Sequence, residues 1–437
     1  MNKFLPFSYF FQNNKRGLAL TTSQNFFEQF INFDQSTIKI YFDNVIKNQD
    51  ILCVNDSKQF FHSFLKLFDL EFLESIKIVD IKAFQVFVQG KLNVDLHKED
   101  ILNLEILKTL AQIEKIKEVQ CLSNYEYVPL SHIEVFLKKD YEICSYYLDL
   151  YNRRQIQINN RYFDFVGFIL YLSNLENNKL IKKNNEEIVP TYHYDRVSTG
   201  RLINDYPEPF QTKSFEYFKE NYKSRFENGK FILADYSTID IRIALALSKT
   251  IVKDKTFIDP YSIIAKNILK KNDITEDERE KFKQTVLQIL YSENHTGQEI
   301  EKIRSLYPKI FTLKEEIIKF VKEKKFVLSY FGSFRKFNDD SRVTQYFHSY
   351  IAMTTSDICK KAIIELQKEF KKRKFSSLPI PYVVYDSFLI DYNTSENLDE
   401  ILDTIRTALV DNTIPNTFKD FLNFSVKIKM DDFKKEL

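Results

Sequence analysis

Two apolar runs in this chain each stop on a carboxylate, and together they limit the folds open to it. The first run, Phe231 to Ala234 in FILADYSTIDIRIALALS (231–248), is rich enough in β-branched and aromatic residues to form a buried strand. It ends on Asp235 and passes at once into a pattern of helical period. The second, PYVVYDSFLIDY (381–392), has apolar residues on both sides of Asp386, the pattern of two hairpin strands meeting at an acidic tip. A sheet holding both would bring together, at its strand ends, two carboxylates that lie 151 positions apart in sequence. Each also has an ordinary explanation when taken alone, Asp235 as a helix N-cap and Asp386 as a turn residue.

Between them stands a helix with a marked start. Thr275 and Glu278 in TEDEREKFKQTVLQILYS have the capping-box spacing, which predicts a helix beginning at residue 276. Arg279, Lys283, Leu287 and Tyr291 recur along it every four residues and share one face. Two cations, an apolar side chain and an aromatic in that order can hold phosphates at one end and a base at the other. The plainer alternative is a surface helix whose apolar edge enters the core.

A chain of 437 residues has room for two to four domains. Its 63 basic and 61 acidic residues leave a net charge of +2, so a polyanion must be met by a local basic face rather than a global field. The four cysteines, Cys53, Cys121, Cys144 and Cys359, show no CxxC spacing and argue against a zinc site or a disulfide framework. FVGFILYL (165–172) is too short to span a bilayer, and no signal-peptide pattern opens the chain. The expectation is a soluble, cytoplasmic protein without a membrane partner.

Three regions follow from the patterning. Residues 1–95 alternate strand-like runs (GLALT, IKIYF, DILCV) with helical ones such as QFFHSFLKLF, as an α/β layer does. Residues 96–189 are mostly helical and close on the polar stretch ENNKLIKKNNEE. Residues 190–437 carry nearly all of the chemistry. There the run SDICKKAIIELQKEF (356–370) sets Ile358, Ala362, Ile363 and Leu366 on one buried helical stripe.

The order of the pieces is itself informative. STGRLINDYP (198–207), ADYSTIDIR (234–242), the Arg279/Lys283/Tyr291 helix, YFGSFRKF (330–337), TTSDICKKAI (354–363) and VVYDSFLI (383–390) resemble the family A DNA polymerases, the DNA polymerase I type, over roughly residues 190–392. The resemblance implies an α/β (α+β) right hand with an antiparallel palm sheet and helical fingers and thumb. Residues 190–437 would form palm and fingers, 96–189 the thumb and connecting helices, and 1–95 an α/β exonuclease-like domain. It implies two Mg²⁺ ions, with Mn²⁺ as a substitute, held by Asp235 and Asp386 with Tyr236 as a further metal position. Carboxylates are suitable ligands for so hard an ion.

By the same resemblance Arg279 and Lys283 bind the triphosphate, Leu287 and Tyr291 lie against the nucleotide and the templating base, and Asp240 walls off the ribose 2′ position. Arg201, Thr199 and Arg335 are implied as primer and template contacts. The implied partners are primer–template DNA and dNTPs, bound by a monomer that works with replication accessory proteins. Residues 50–64 and 77–88 resemble the exonuclease segments of the family, yet no DxE pair stands on an early strand, so a fold without proofreading chemistry is expected.

Several positions depart from the family pattern. Leu287 stands in place of an aromatic, Asp240 and Ser387 in place of glutamates, Tyr385 in place of a histidine, and Thr238 and Ala352 in place of glutamines. These departures leave two rival readings, a catalytically weakened DNA-binding scaffold of replication and an unrelated two-metal nuclease. The joint presence of Asp235, Asp386, Arg279, Lys283 and Tyr291 argues against both, because a scaffold needs no metal ligands and a nuclease needs no triphosphate helix.

Overall fold

The run that ends on Asp235 forms strand Lys230–Tyr236 in the middle of a five-stranded sheet. Strands Ser387–Tyr392 and Val426–Met430 flank it, with Leu378–Val384 and Phe433–Glu436 outermost, and every pairing is antiparallel. A middle strand has neighbours on both edges, which suits Phe231, Ile232, Ala234 and Tyr236, all buried. Burying a side chain such as Ile232 contributes about 1.5–3 kcal/mol. This computed structural model describes residues 4–12, 15–20, 30–32, 35–54, 57–80, 165–194, 196–251, 259–292, 297–338, 340–431 and 433–437. The chain divides into two units, residues 1–158 with 164–174 and residues 159–163 with 175–437.

In the first unit the expected α/β alternation is present, with one exchange. Strands Phe4–Gln12, Lys15–Leu20 and Phe30–Asn32 pair antiparallel, and Phe4–Gln12 continues in parallel to Ile51–Val54 and Ile78–Asp80. IKIYF, expected as a strand, lies instead inside helix Gln35–Asn48. Its β-branched residues favour a strand locally, but Ile38, Phe42 and Val45 fall at helical spacing and bury 97% or more of their surface on one face, and that tertiary packing decides. Phe42 meets Phe60, Phe64 and Phe68 with ring centroids 5.2–5.9 Å apart. The polar residue at the end of the last strand, Asp80, accepts hydrogen bonds from the Ser57 backbone N–H at 2.9 Å and from the Ser57 hydroxyl, and so fixes the start of helix Ser57–Phe64. The rest of the segment expected to be exonuclease-like, and most of the expected thumb, lie outside the described residues.

The second unit carries the mixed helix and sheet architecture expected of the chemically informative region. ENNKLIKKNNEE is built into a small sheet, where Leu180–Lys182 pairs with Glu187–Ile188 and Tyr222–Lys223. Helix Glu276–Tyr291 begins where the capping box predicts, with the Thr275 hydroxyl and the Glu278 carboxylate exchanging backbone hydrogen bonds. Its far end is closed by Lys314, whose buried ammonium donates to the Ile289 and Ser292 carbonyls at 2.6 and 2.8 Å. The longest helix, Thr344–Lys372, buries the predicted stripe of Ile358, Ala362, Ile363 and Leu366. Among the described residues no helix is long and apolar enough to cross a membrane.

Candidate active site

Antiparallel register sets the two carboxylates side by side. Asp235 is paired with Ser387, and the Ser387 hydroxyl donates to Asp235 Oδ1, so Asp386 occupies the adjoining turn. That turn has two residues, since Val384 pairs with Ser387. Its first residue, Tyr385, has φ of 53°, a value for which two-residue hairpins usually employ glycine. Thr238, at the start of helix Ile239–Leu247, likewise has φ of 52°. A non-glycine residue in this region costs about 1–2 kcal/mol, so both turns beside the carboxylates hold backbone strain.

Behind the turns stands Arg242, 0% exposed. Its guanidinium donates to the Ser237 carbonyl at 2.7 Å, to the Asn423 carbonyl, and to the Ser425 hydroxyl at 3.3 Å. Burial draws its pKa down to about 10, against the pull of Glu436. The first bond satisfies the Ser237 carbonyl of the sharp strand-to-helix turn, and the others tie that turn to residues 423–425.

A cleft of about 650 Å³ opens beside Asp386 and is lined by residues from distant parts of the chain. Arg201, Asp240, Lys283, Leu287 and Asp386, five of the residues singled out from sequence, all face it, joined by Tyr385 and by Thr355, Ser356 and Cys359 of the long helix. Asp240 is the most connected of them. Its carboxylate accepts from Thr355 Oγ1 at 2.6 Å and from the Tyr291 hydroxyl, and lies 3.6 Å from Arg201 Nη2. Burial first, and then the Asp240 charge, raises the pKa of Tyr291 far above that of a free phenol. The Tyr291 ring packs on His348 with centroids 4.7 Å apart, and Arg201 lies over the Tyr385 ring at 5.4 Å.

Negative charge accumulates at the inner end of the cleft. Burial, and then the charges of Asp235 and Asp240, push the Asp386 carboxyl up to about 8. Asp235 is also raised by burial, against the Ser387 hydrogen bond and Lys427 on the neighbouring strand. Two hard oxygen donors close enough for the Asp235 charge to raise Asp386 are what a divalent cation would neutralise, so the donor set fits Mg²⁺. Among the described residues no group of three or more His, Cys, Asp or Glu gathers for a metal, and the fit rests on this pair.

The other sequence-predicted residues are placed as follows. Tyr236 turns its side chain into the core, where its hydroxyl donates to the Leu409 carbonyl at 2.6 Å, while its backbone N–H donates to the Asp386 carbonyl at 3.2 Å. Thr199 is buried two residues before Arg201. The intervening Gly200 has φ of +68°, and its carbonyl accepts from Ser356 at 2.7 Å. Arg335 is not among the residues that line the cleft. It packs against the long helix, bonding the Ser349 hydroxyl and Gln345 Oε1, with its ring contact to Phe337. Arg279 lies one turn above Lys283, paired with Asp259.

Sequence reasoning assigned Thr355, Ser356 and Cys359 no role beyond membership of the TTSDICKKAI motif, and marked Tyr385 only as standing in place of a histidine; all four are walls of the cleft. Thr355 and Cys359 sit four residues apart, and that spacing in TTSDICKKAI was the available signal for a second helical face.

The model of a known family, DNA polymerase family A, matches residues 170–431. A DNA polymerase I from Caldicellulosiruptor bescii is 24% identical over an alignment of 254 residues that covers 48% of this chain and 29% of that protein. The polymerase domain of Pol1 from M. smegmatis, solved in complex with DNA primer-template and dNTP, superposes with a TM-score of 0.49 at 14% identity, over 90% of this chain and 65% of that one. The matched stretch thus spans less than a third of the length of the bacterial relative.

Proposed function

This chain belongs to DNA polymerase family A, and from that premise we propose that it is a DNA-directed DNA polymerase, adding dNTPs to a primer 3′-hydroxyl on a template strand. The observation that carries the reading is the shared cleft, in which Asp386, Asp240, Arg201, Lys283 and Leu287 converge from four separate segments. The central antiparallel sheet with the long helix is the palm, and the helices from Pro260 to Lys324 are the fingers. The thumb is assigned to residues 96–189 and an exonuclease-like domain to 1–95. The partners in this reading are primer–template DNA and dNTPs.

Asp235 and Asp386, with the main chain at Tyr236, would hold two Mg²⁺ ions. When bound, these supply a lowered pKa for the primer hydroxyl and countercharge for the departing pyrophosphate. The chain's own side chains do the remaining work. Lys283 and Arg279 gather the triphosphate and neutralise charge that grows during transfer. Arg201, steadied over Tyr385, presents its guanidinium to the minor groove of the primer terminus, where it senses base-pair shape rather than sequence. Tyr291, anchored by its hydroxyl to Asp240, holds its ring beside the templating base. Keeping two crowded carboxylates in this place costs stability, and a pure scaffold would derive nothing from it. The direct test is extension of a labelled primer by the purified protein with Mg²⁺; no extension on any primed DNA template would refute the reading.

Two finer consequences follow. Asp240 carries its carboxylate on one methylene and is already drawn toward Tyr291 and Thr355. Lengthening it by Asp240→Glu is expected to raise selectivity for dNTP over rNTP by about tenfold, roughly 1.4 kcal/mol, in single-nucleotide incorporation. Equal selectivity in the two proteins would remove Asp240 from the sugar site. The exonuclease-like domain lacks a DxE pair on its early strand, so a primer with a mismatched 3′ end should never be shortened when dNTPs are withheld.

A further inference from the structure

Helix Glu276–Tyr291 presents Lys283 to the cleft, but Arg279 is fastened to a different helix. Asp259, the N-cap of helix Pro260–Leu269, accepts Arg279 Nε on Oδ2 at 2.7 Å and Nη2 on Oδ1 at 3.4 Å. Both side chains are 19% exposed, and the ring of Tyr261 lies 5.8 Å from the guanidinium carbon. The Asp259 carboxylate is itself fixed, because Oδ2 also accepts from the Ser262 backbone N–H at 3.1 Å and from the Ser262 hydroxyl. Nη1 reaches Glu276 Oε1 at 3.2 Å, a residue of the same helix whose side chain is 79% exposed.

We propose that Asp259 is a positioning residue for triphosphate binding, gripping one edge of the Arg279 guanidinium so that its outer N–H groups stay aimed at the incoming phosphates. The inference rests on the polymerase reading of the cleft and deepens it. A guanidinium has five N–H groups in a rigid fork. The Asp259 pair engages the Nε edge and Glu276 engages one Nη1 hydrogen, which leaves donors on the terminal nitrogens for phosphate oxygens. With Asp259 neutral, Glu276 becomes the nearest carboxylate partner and draws the side chain outward along its own helix. The arginine then has to be recovered from that partner each time a nucleotide binds, which weakens nucleotide affinity and leaves the chemical step alone.

Asp259→Asn is the informative variant, because asparagine keeps the N-cap oxygen while removing the charge that holds Arg279. The expected result is a dNTP KM raised about tenfold with kcat changed less than threefold, and a melting temperature close to wild type. Asp259→Glu should restore part of the affinity. In an Arg279→Ala background Asp259→Asn should add nothing. A second measurement needs no turnover: tripolyphosphate should raise the melting temperature of the wild type and do so far less for Asp259→Asn. An unchanged or lowered KM in Asp259→Asn, effects that add to those of Arg279→Ala, or equal stabilisation by tripolyphosphate would each overturn the proposal. Absence of extension by the wild type would instead count against the polymerase reading, with the tripolyphosphate comparison still deciding the role of Asp259.

Discussion

Replacing Asp386 by alanine is expected to stop primer extension, lowering its rate by on the order of 10³-fold or more, which corresponds to about 4 kcal/mol of transition-state stabilisation. Asp235→Ala should do the same. The two side chains are neighbours only because strand pairing puts Asp235 opposite Ser387, one residue beyond Asp386. Asp235 receives one side-chain hydrogen bond, from Ser387, and burial with the neighbouring carboxylates pushes the Asp386 carboxyl up. Both variants should therefore fold and retain primer–template affinity within about threefold, since phosphate contacts by basic side chains dominate duplex binding. Steady-state extension, gel-shift binding and thermal melting measured on the same preparations check this. Extension by either alanine variant at more than a tenth of the wild-type rate would remove the pair from the reaction.

The second large effect has the opposite sign, a gain of stability on neutralising the site. Folding raises the Asp386 carboxyl from an ordinary value near 3.9 to about 8, with burial the largest cause and Asp235 and Asp240 adding to it. A carboxyl raised on folding binds its proton more tightly in the folded state. The folded state is thus favoured while the group is protonated and loses that advantage as pH climbs from about 4 to about 8. In chelator, the wild-type melting temperature should accordingly fall across this interval, and Asp386→Asn should fall less. At pH 8 the variant should melt a few degrees higher, roughly 2–4 °C, a figure kept small because the side chain borders the open cleft and solvent screens it. Millimolar Mg²⁺ should then stabilise the wild type by mass action and leave Asp386→Asn unmoved. A variant that melts lower than wild type at pH 8 in chelator would show that the carboxylate holds the fold together.

The parts of the fold that were legible in the sequence are those governed by neighbours along the chain. The capping box at Thr275 and Glu278 fixed the first residue of its helix, because the two groups that satisfy each other are three residues apart. The hairpin around Asp386 and the buried stripe from Ile358 to Leu366 were visible for the same reason, through periods of two and of three to four residues. IKIYF misled because its composition favours a strand while the phenylalanines around it, from Phe60 to Phe68, reward a helix.

The sequence by itself determined which residue types were present to do chemistry and how each lay on its own strand or helix. It placed Asp235 and Asp386 at strand ends and Arg279, Lys283, Leu287 and Tyr291 on one helical face. Only the tertiary structure decided which of them share a space. Lys283 and Leu287 line the cleft, Arg279 is gripped along one edge by Asp259, Tyr291 is tied through Asp240, and Arg335 packs against another helix. The physical reason is range: capping and periodicity act within a few residues, whereas ion pairs, carboxylate repulsion and cleft walls join residues 20 to 185 positions apart, through strand register and helix packing that no local pattern encodes.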